Sequence, residues 1–298
     1  MILSISERTD IVAFYMPWFM NRLKEGYVDV RNPFYPKQVS RIELTAYSID
    51  AIVFCTKNPI AFLEYVDEIP YPYILQVTIT PYLKEIEPYV PSKKEIIKAL
   101  KIISKKIGKE RVYLRYDPIF ISEKYSISYH EKMFEKICSE LKDSVSRVII
   151  SFLDLKQNTL KNIKVFKMLP LTKENIIEVS SKIGSIGKKY NLEVSTCGEN
   201  IDLSEYNILK KGCTTLEDIN KIVDKRLSVR KNTTREHCGC IETVDIGAYN
   251  CCSHFCKYCY ANYEEKKVIE NMKQHNLNSS LIIGELETDD IIKLKNKS

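Results

Sequence analysis

The 298-residue sequence has no apolar stretch long enough to cross a lipid bilayer. Its first apolar run, residues 11–20, is broken by Pro17 and is far shorter than the roughly 20 residues that a membrane-spanning helix needs. The N-terminus has no basic and apolar leader ending in small residues, and residues 1–6 are instead typical of a strand. We therefore expect a cytoplasmic protein that has no membrane partner.

Nucleotide-binding signatures are also missing. The chain has no G-x-G-x-x-G and no P-loop, whereas a doubly wound nucleotide-binding sheet concentrates such residues near its first turn. No arginine-rich stripe accompanies the net charge of +6. We therefore interpret that charge as a solvated lysine-rich surface rather than a nucleic-acid face.

Cysteine, in contrast, is plentiful. Of the ten cysteines, six lie within residues 238–259. In a reducing cytosol, clustered cysteines are more often metal ligands or redox groups than disulfides. The residues near the end of the chain therefore predict a metal site.

Three of these cysteines form a C-x3-C-x2-C loop: Cys252, Cys256 and Cys259. Zinc fingers usually combine two cysteines with a second pair of ligands, whereas three close cysteines that leave one iron open suit a [4Fe–4S] cluster. The spacing therefore favours iron and sulfur. The alternative is structural zinc with His237 or His254 as a further ligand.

A second site is possible, since a set of four thiolates suits a fully ligated cluster or a structural zinc ion. We hypothesise an auxiliary [4Fe–4S] cluster on four further cysteines, namely Cys197, Cys213, Cys238 and Cys240. The alternative is that one or two of these are ordinary buried residues, as free cysteines often are. Cys55 and Cys138 lie in apolar segments, so we expect them in the core.

Short apolar runs alternate with helix-like stretches along residues 1–227. Continuous apolar character is typical of parallel strands that are covered on both faces. The predicted strands are residues 2–6, 51–55, 73–80, 112–116, 147–152 and 192–196. The predicted helices are residues 17–24, 91–107, 129–141, 172–190 and 215–223, followed by a possible strand at 243–249 and a helix at 260–275. The alternation predicts an α/β fold.

Each predicted strand ends in polar residues that are able to bind or react. Barrels build their active sites from the loops at the C-terminal ends of the strands, so this distribution favours a barrel over an open doubly wound sheet. The candidates are Arg8, Asp10, Lys57, Asn58, Arg115, Asp117 and Glu199. Arginine suits a bound carboxylate, but salt bridges between adjacent strands are the alternative, and for Arg115 and Asp117 on one strand face both interpretations stay open.

The cysteine loop resembles the signature of the radical S-adenosylmethionine (SAM) enzymes, in which an aromatic residue, here Tyr258, precedes the third cysteine. The residues HFCKYCYA, 254–261, are most similar to the branch of spore photoproduct lyase and "DNA repair photolyase". Other segments resemble a bacterial family known only as a domain of unknown function, DUF1848. They are SERTDI, VRNPFYPKQVSRIEL, VFCTKNP, RYDPI and STCGE.

The radical SAM resemblance implies a partial (β/α)6 TIM-like barrel at residues 1–227, with a cluster-binding segment packed on it at residues 228–298. It implies a [4Fe–4S] cluster on the C-x3-C-x2-C loop that reductively cleaves SAM to a 5′-deoxyadenosyl radical, which abstracts hydrogen from a substrate. The substrate would be a small anionic molecule or a nucleotide, and the electron donor a ferredoxin or a flavodoxin.

The same resemblance implies roles for the polar residues at the strand ends. Contacts to SAM are expected from Tyr258, Arg8, Asp10, Asn58 and Glu199, and catalytic roles from Lys57, Arg115 and Asp117. In radical SAM enzymes the cysteine loop normally follows the first strand, so its position here indicates either a circular permutation in which residues 243–249 replace that strand or a C-terminal segment that folds over the barrel mouth. The usual Gly-Gly-Glu motif is missing. Two other functions are considered: a zinc-dependent barrel hydrolase or isomerase, and a non-catalytic redox or metal-storage protein.

Overall fold

The structure, a computed structural model, describes residues 1–155, 159–160, 166–231 and 238–295. Within these ranges the strands form one sheet of eight and one of three. The strands are β1 (Ile2–Ile5), β2 (Tyr27–Arg31), β3 (Gln38–Glu43), β4 (Ala51–Thr56), β5 (Tyr73–Thr78), β6 (Val112–Ile119), β7 (Arg147–Phe152), β8 (Glu193–Thr196), β9 (Ile208–Lys210), β10 (Val244–Asp245) and β11 (Ile291–Lys295). The α-helices are α1 (Ile11–Phe14), α2 (Met16–Glu25), α3 (Lys93–Ile107), α4 (Ile127–Leu141), α5 (Lys173–Lys189), α6 (Leu216–Asn220) and α7 (Glu265–Lys273).

The larger sheet is parallel throughout, in the order β10-β1-β4-β5-β6-β7-β8-β9. All six predicted strands belong to it, and residues 243–249 contribute β10 at one edge. A barrel would also need β9 to pair with β10, and no such ladder joins them in the described residues. The mixed α/β fold is confirmed, but the predicted barrel is not, because the sheet is not closed.

Short edge strands explain why the sheet stays open. β9 has three residues and β10 has two, so neither edge offers a long ladder. The backbone after β9 instead meets the backbone before β10. There the Ile241 amide donates to the Thr214 carbonyl at 3.0 Å, and Gly212 packs directly against Gly239.

The larger sheet buries both of its faces, which explains the continuous apolar character of its strands. Leu3, Phe54 and Leu75 lie in the hydrophobic cluster that also contains residues of the helices. Val53 and Ile74, which precede Phe54 and Leu75 in β4 and β5, lie in a second cluster together with the four cysteines predicted as ligands of the second site. Those cysteines therefore occupy the face of the sheet opposite the main helical layer.

Four of the predicted helices lie close to their expected positions and begin with a capped first turn. Ser92 accepts from the amide of Glu95, and Glu95 caps Ser92 in return, so α3 begins with a capping box. The buried residues Ile96, Leu100 and Ile103 recur at helical spacing along α3. The side chains of Ser126, Thr172 and Thr215 cap α4, α5 and α6. No helix in the described part of the chain has the length and apolar character that a bilayer span requires.

The smaller sheet was not predicted. β2 and β3 pair antiparallel, and β11 joins β3 in parallel. Every residue of β11 is exposed although three of the five are apolar, so this strand does not follow the rule that apolar runs mark buried strands. Nothing in this arrangement tests a domain boundary at residue 227, which stays a prediction.

Candidate metal centres

The C-x3-C-x2-C loop lies at the carboxyl ends of β1, β4 and β5. It follows β10, which runs parallel to β1. The hydroxyl of Tyr260 donates to the carbonyl of Glu7, just after β1, at 2.6 Å. The amide of Lys257 donates to the carbonyl of Ile86, in the segment after β5, at 2.9 Å. These contacts hold the loop against the edge where the strands end.

Asp10 anchors the first half of the loop. Its Oδ2 atom accepts from His254 Nε2 at 3.0 Å, from the Lys57 amide at 2.8 Å and from Thr56 Oγ1 at 3.0 Å. Its other oxygen accepts from the Ala13 amide at 3.0 Å and caps α1. Since a carboxylate accepts, the Nε2 atom of His254 carries the proton of this bond. Asp10 thus joins β4, α1 and the cysteine loop.

Glu87 anchors the second half of the loop. Its buried carboxylate accepts from Tyr258 OH, from Thr80 Oγ1 at 2.6 Å and from Lys57 Nζ at 2.9 Å. Burial by itself raises the pKa of Glu87, but the charges of Lys57 and Lys93 outweigh burial and lower the pKa to about 2. Burial lowers the pKa of Lys57, but the charge of Glu87 outweighs it and leaves that pKa raised. Both groups are therefore charged at neutral pH.

The three cysteines of the loop are surrounded by protein. Burial raises the pKa of the thiols of Cys252, Cys256 and Cys259 above its usual value, and for Cys256 the charge of Lys57 partly opposes this rise. Buried thiols of this kind are neutral until a metal displaces their protons. The site is therefore suited to a bound metal group rather than to free thiolates.

Two buried polar atoms of the loop have no hydrogen-bond partner among the described residues. They are Nδ1 of His254 and Oδ1 of Asn262, whose Nδ2 atom donates to the Cys252 carbonyl at 2.7 Å. Buried polar atoms normally have a partner in a folded protein. Their position beside the cysteines is consistent with a bound group that supplies one. His237 lies outside the described residues.

The other four cysteines form a compact group. Within the described ranges, three potential ligand atoms lie within 4.8 Å of one another at Cys197, Cys213 and Cys240. The Cys240 sulfur is 3.5 Å from that of Cys197 and 3.3 Å from that of Cys213. Cys238 packs against the same buried cluster, but its sulfur lies outside this set of three. The cysteines predicted for a second site are thus brought together and are able to hold a metal ion or a cluster.

Three segments of chain carry this four-cysteine group. Cys197 directly follows β8, Cys213 lies beyond β9, and the two others lie in the segment before β10. The Gln76 side chain donates to the Cys213 carbonyl at 2.7 Å. Arg147 donates to the Gly212 carbonyl at 2.6 Å and pairs with Asp218 at 2.8 Å. Side chains of β5 and β7 therefore hold the backbone that presents Cys213.

The loop and the four-cysteine group differ in compactness. Among the described residues, Cys252, Cys256 and Cys259 do not form a set in which all three sulfurs lie within 4.8 Å. The four-cysteine group does contain such a set. The three loop sulfurs are therefore spaced more widely than those of Cys197, Cys213 and Cys240.

A family model matches residues 2–261, and its description is Domain of unknown function (DUF1848). The chain belongs to this family. The match includes both the C-x3-C-x2-C loop and the four-cysteine group, and it confirms the part of the predicted resemblance that concerns DUF1848. No curated protein and no solved structure matches this DUF1848 chain.

Arg8, Asn58 and Glu199 of this DUF1848 protein are bonded to nearby protein groups. Arg8 pairs with the side chain of Asp245 in β10 and contacts the Asp245 carbonyl at 3.3 Å. Asn58 accepts from the amide of Ile60 at 3.2 Å. Glu199 accepts from the amide of Phe152 at 2.9 Å. Their proposed contacts to SAM stay predictions.

Arg115 and Asp117 pair with each other on the face of the sheet that carries the four-cysteine group. Arg115 also donates to Gln76 of β5 at 2.9 Å, and Asp117 accepts from Ser151 of β7. The ion pair itself lies within β6, and the two hydrogen bonds tie β6 to the adjacent strands β5 and β7. Catalytic roles for these two residues and for Lys57 stay predictions.

Sequence reasoning missed Glu87 and Gln76. Glu87 lies in a polar loop with no periodic pattern, and nothing near it in the sequence marks a buried carboxylate. Gln76 could have been found from the sequence, because it is a polar residue inside the apolar run YILQVT. In the structure it is buried. Cys138 is fully buried on α4, as predicted, and burial raises the pKa of its thiol to about 12.

Proposed function

We propose that this DUF1848 protein is a radical SAM enzyme in which Cys252, Cys256 and Cys259 hold a [4Fe–4S] cluster. The observation on which the proposal rests is the position of the cysteine loop at the carboxyl ends of parallel strands, where α/β enzymes bind their ligands. When bound, the cluster supplies the electron that cleaves SAM to a 5′-deoxyadenosyl radical, which abstracts hydrogen from the substrate. The protein positions the reactants and excludes water.

The ligand set suits a cluster. Each cysteine of a [4Fe–4S] cluster binds a different iron, so its ligands are spaced more widely than ligands of a single ion. The looser spacing of the three loop sulfurs agrees with this requirement. Three cysteines leave one iron free for SAM, and the unpartnered Nδ1 of His254 and Oδ1 of Asn262 are polar atoms that a bound group could engage.

The strand order supports the proposed permutation. β10 precedes the cysteine loop in sequence and lies next to β1 at the edge of the sheet. Read across the sheet, the order therefore begins with the strand that leads into the cysteines and continues with β1, β4, β5, β6, β7 and β8. A partial barrel with its first strand moved to the end of the chain would have this order. We propose that the open sheet is such a barrel.

The surrounding residues have positioning roles in this proposal. Both carboxylate oxygens of Asp10 accept hydrogen bonds from protein donors. In this proposal Asp10 therefore orients His254 and the backbone after β4 and does not contact SAM. Glu87 orients Tyr258 and Lys57 in the same way. The positive charge of Lys57 lies close enough to Cys256 to favour its thiolate, which is the form that binds iron.

The proposal is tested by anaerobic reconstitution with iron and sulfide, followed by addition of dithionite and SAM. We expect about four irons on the loop and formation of 5′-deoxyadenosine. Cys256→Ala should lose both, whereas Cys251→Ala, which removes the neighbouring buried thiol, should keep both. A reconstituted cluster that yields no 5′-deoxyadenosine would instead favour the non-catalytic redox or metal-storage function.

A zinc site on the same loop is the second candidate, and His254 is the observation in its favour. A metal-bound histidine usually donates its other ring N–H to a carboxylate, as His254 does to Asp10. This arrangement would suit a zinc-dependent hydrolase or isomerase. It predicts a colourless protein that loses its zinc in His254→Ala, whereas the cluster proposal predicts a brown protein whose iron survives that substitution.

The remaining parts of the proposal concern partners and location. The substrate is proposed to be a small anionic molecule or a nucleotide, and the electron donor a ferredoxin or a flavodoxin. A reducing cytoplasm suits a protein with ten free cysteines.

A further inference from the structure

We propose that Cys197, Cys213, Cys238 and Cys240 together bind one Zn²⁺ ion, and that this ion joins the two edges of the eight-stranded sheet. The proposal replaces the auxiliary [4Fe–4S] cluster expected from the sequence. It is independent of the radical SAM proposal, because the two sites share no ligand.

The distances between the sulfurs favour a single ion. Four thiolates around one Zn²⁺ at about 2.3 Å lie about 3.8 Å from one another in a tetrahedron. The two sulfur–sulfur distances at Cys240 are 3.5 and 3.3 Å. Cysteines on a cluster would bind separate irons and lie further apart. The sulfurs of Cys197, Cys213 and Cys240, all within 4.8 Å of one another, are too close together to bind separate irons of a cluster, but their spacing suits one zinc ion.

The number and arrangement of the thiols also suit zinc. Three of the sulfurs, those of Cys197, Cys213 and Cys240, lie within 4.8 Å of one another, and Cys238 packs against the same buried cluster as the fourth thiol. Structural zinc sites are closed by four protein ligands of this kind. Zinc binding would release the protons that the thiols still hold. The resulting site has a net charge of two minus, and the guanidinium of Arg115 lies near enough to Cys197 and Cys213 to offset part of it.

The backbone is shaped so that the ligands can meet. A Cβ atom on Gly212 would lie 2.4 Å from the Cys240 amide nitrogen and 2.4 Å from the Gly239 carbonyl carbon. Real Cβ atoms do not approach backbone this closely, so the two segments can touch only because glycine stands at this position. The contact places the residue after Gly212 and both neighbours of Gly239, all cysteines, at one site.

The position of the site indicates what the ion does. Cys197 directly follows β8, Cys213 follows the edge strand β9, and the remaining two precede the opposite edge strand β10. No strand ladder joins these edges in the described residues. A zinc ion at this point would link them covalently through sulfur. Because β10 leads into the C-x3-C-x2-C loop, the ion would also fix the strand on which that loop depends.

The proposal is tested first on the unaltered full-length chain. Protein produced with both iron and zinc available is purified anaerobically, and its metals and the zinc absorption edge are measured. We expect one zinc per chain, with four sulfur neighbours at about 2.3 Å and no iron neighbour. Absence of zinc, or a zinc shell containing nitrogen or oxygen, overturns the proposal.

Two variants assign the ion to its ligands. Cys213→Ser, at a partly exposed position, should lose zinc while the iron of the C-x3-C-x2-C loop remains. The triple variant Cys252→Ala, Cys256→Ala and Cys259→Ala should lose iron and keep zinc. Cys138→Ser, which removes a buried thiol elsewhere, should keep both metals. Loss of iron and sulfide from Cys213→Ser would indicate an auxiliary cluster and reject the zinc site, as would full retention of zinc.

Discussion

At the scale of single residues, the buried carboxylate of Glu87 holds the cysteine loop in place. It accepts hydrogen bonds from Tyr258, within the loop, and from Thr80 and Lys57, beside it. Removing one member of a buried ion pair costs more than the pair itself contributes, because the other charge is left without a partner. Glu87 therefore stabilises the site by compensating Lys57 as well as by bonding the loop.

Glu87→Gln should destabilise the protein by about 3 kcal/mol, since it leaves the ammonium of Lys57 uncompensated in a mostly buried position. The measurement is the free energy of unfolding in urea at pH 7. Glu85→Gln is the matched control, because its carboxylate pairs with Lys124 on the surface and should cost less than about 1 kcal/mol. Equal effects of the two substitutions would contradict the role given to Glu87.

The effect of Glu87→Gln should also depend on pH. The pKa of Glu87 is lowered from 4.5 to about 2 in the folded protein. Its ionised form therefore stabilises the fold fully above pH 4.5, and this contribution, about 3 kcal/mol, is lost as the pH falls towards 2. Urea unfolding of both proteins between pH 7 and pH 3 should show the difference narrowing. A constant difference over this range would mean that Glu87 acts without its charge.

The sequence predicted which strand-end residues lie at the cysteine loop, but it did not predict the side chains to which they are bonded. Asp10 and Lys57 were predicted because they follow strands, and both lie at the candidate site. Their expected role was contact with SAM or substrate, but in the structure each is bonded to protein groups. A sequence does not reveal which side chains face each other across a loop. Glu87 belongs to the site through contacts of that kind, so it could not be predicted.

At the scale of elements, the contact between the segments after β9 and before β10 decides whether the four-cysteine group can form. The contact depends on the small size of Gly212. Gly212→Ala should push the two segments apart and weaken zinc retention by about tenfold or more, the usual effect of disturbing the support of a metal ligand. Zinc is measured by competition with a coloured chelator.

Gly247→Ala is the matched control for that experiment. The nearest atoms to a Cβ at Gly247 lie at 3.4 Å, so alanine can be accommodated there with little movement. It should retain zinc as the unaltered protein does. If Gly212→Ala also retains zinc at full affinity, the close glycine contact is not needed for the site.

Elements were predictable where a local signal was strong. The capping box of Ser92 and Glu95 and the apolar face of α3 gave that helix from sequence alone. β9 is too short to show a pattern, and β10 is only a two-residue part of the possible strand predicted at residues 243–249. In the second sheet, β11 pairs with β3 from about 250 residues further along the chain. Whether an edge strand of two or three residues forms depends on its pairing with the neighbouring strand rather than on its own composition.

At the scale of the whole molecule, the alternation of strands and helices predicted the parallel sheet correctly, but the predicted barrel is not confirmed, because the sheet is open in the described residues. Closure depends on whether β9 and β10 meet, and these strands meet only through loops that carry cysteines. In the sequence, the loop cysteines and two cysteines of the second site, Cys238 and Cys240, lie in the same C-terminal segment. In the fold the two groups separate, one at the carboxyl ends of β1, β4 and β5, and the other on the buried face opposite the main helical layer.

If zinc joins the sheet edges, removing it should weaken the whole molecule rather than one loop. An ion that binds only the folded state stabilises it by about 4 kcal/mol when its free concentration is a thousandfold above Kd. For a chain of this size, that corresponds to about 6 °C in Tm. In calorimetry, a zinc chelator should therefore lower the Tm of the unaltered protein by about this amount. The Tm of the variant Cys213→Ser should not change when the chelator is added, because this variant holds no zinc. A chelator that removes the zinc but leaves Tm unchanged would mean that the ion occupies the site without holding the edges of the sheet together.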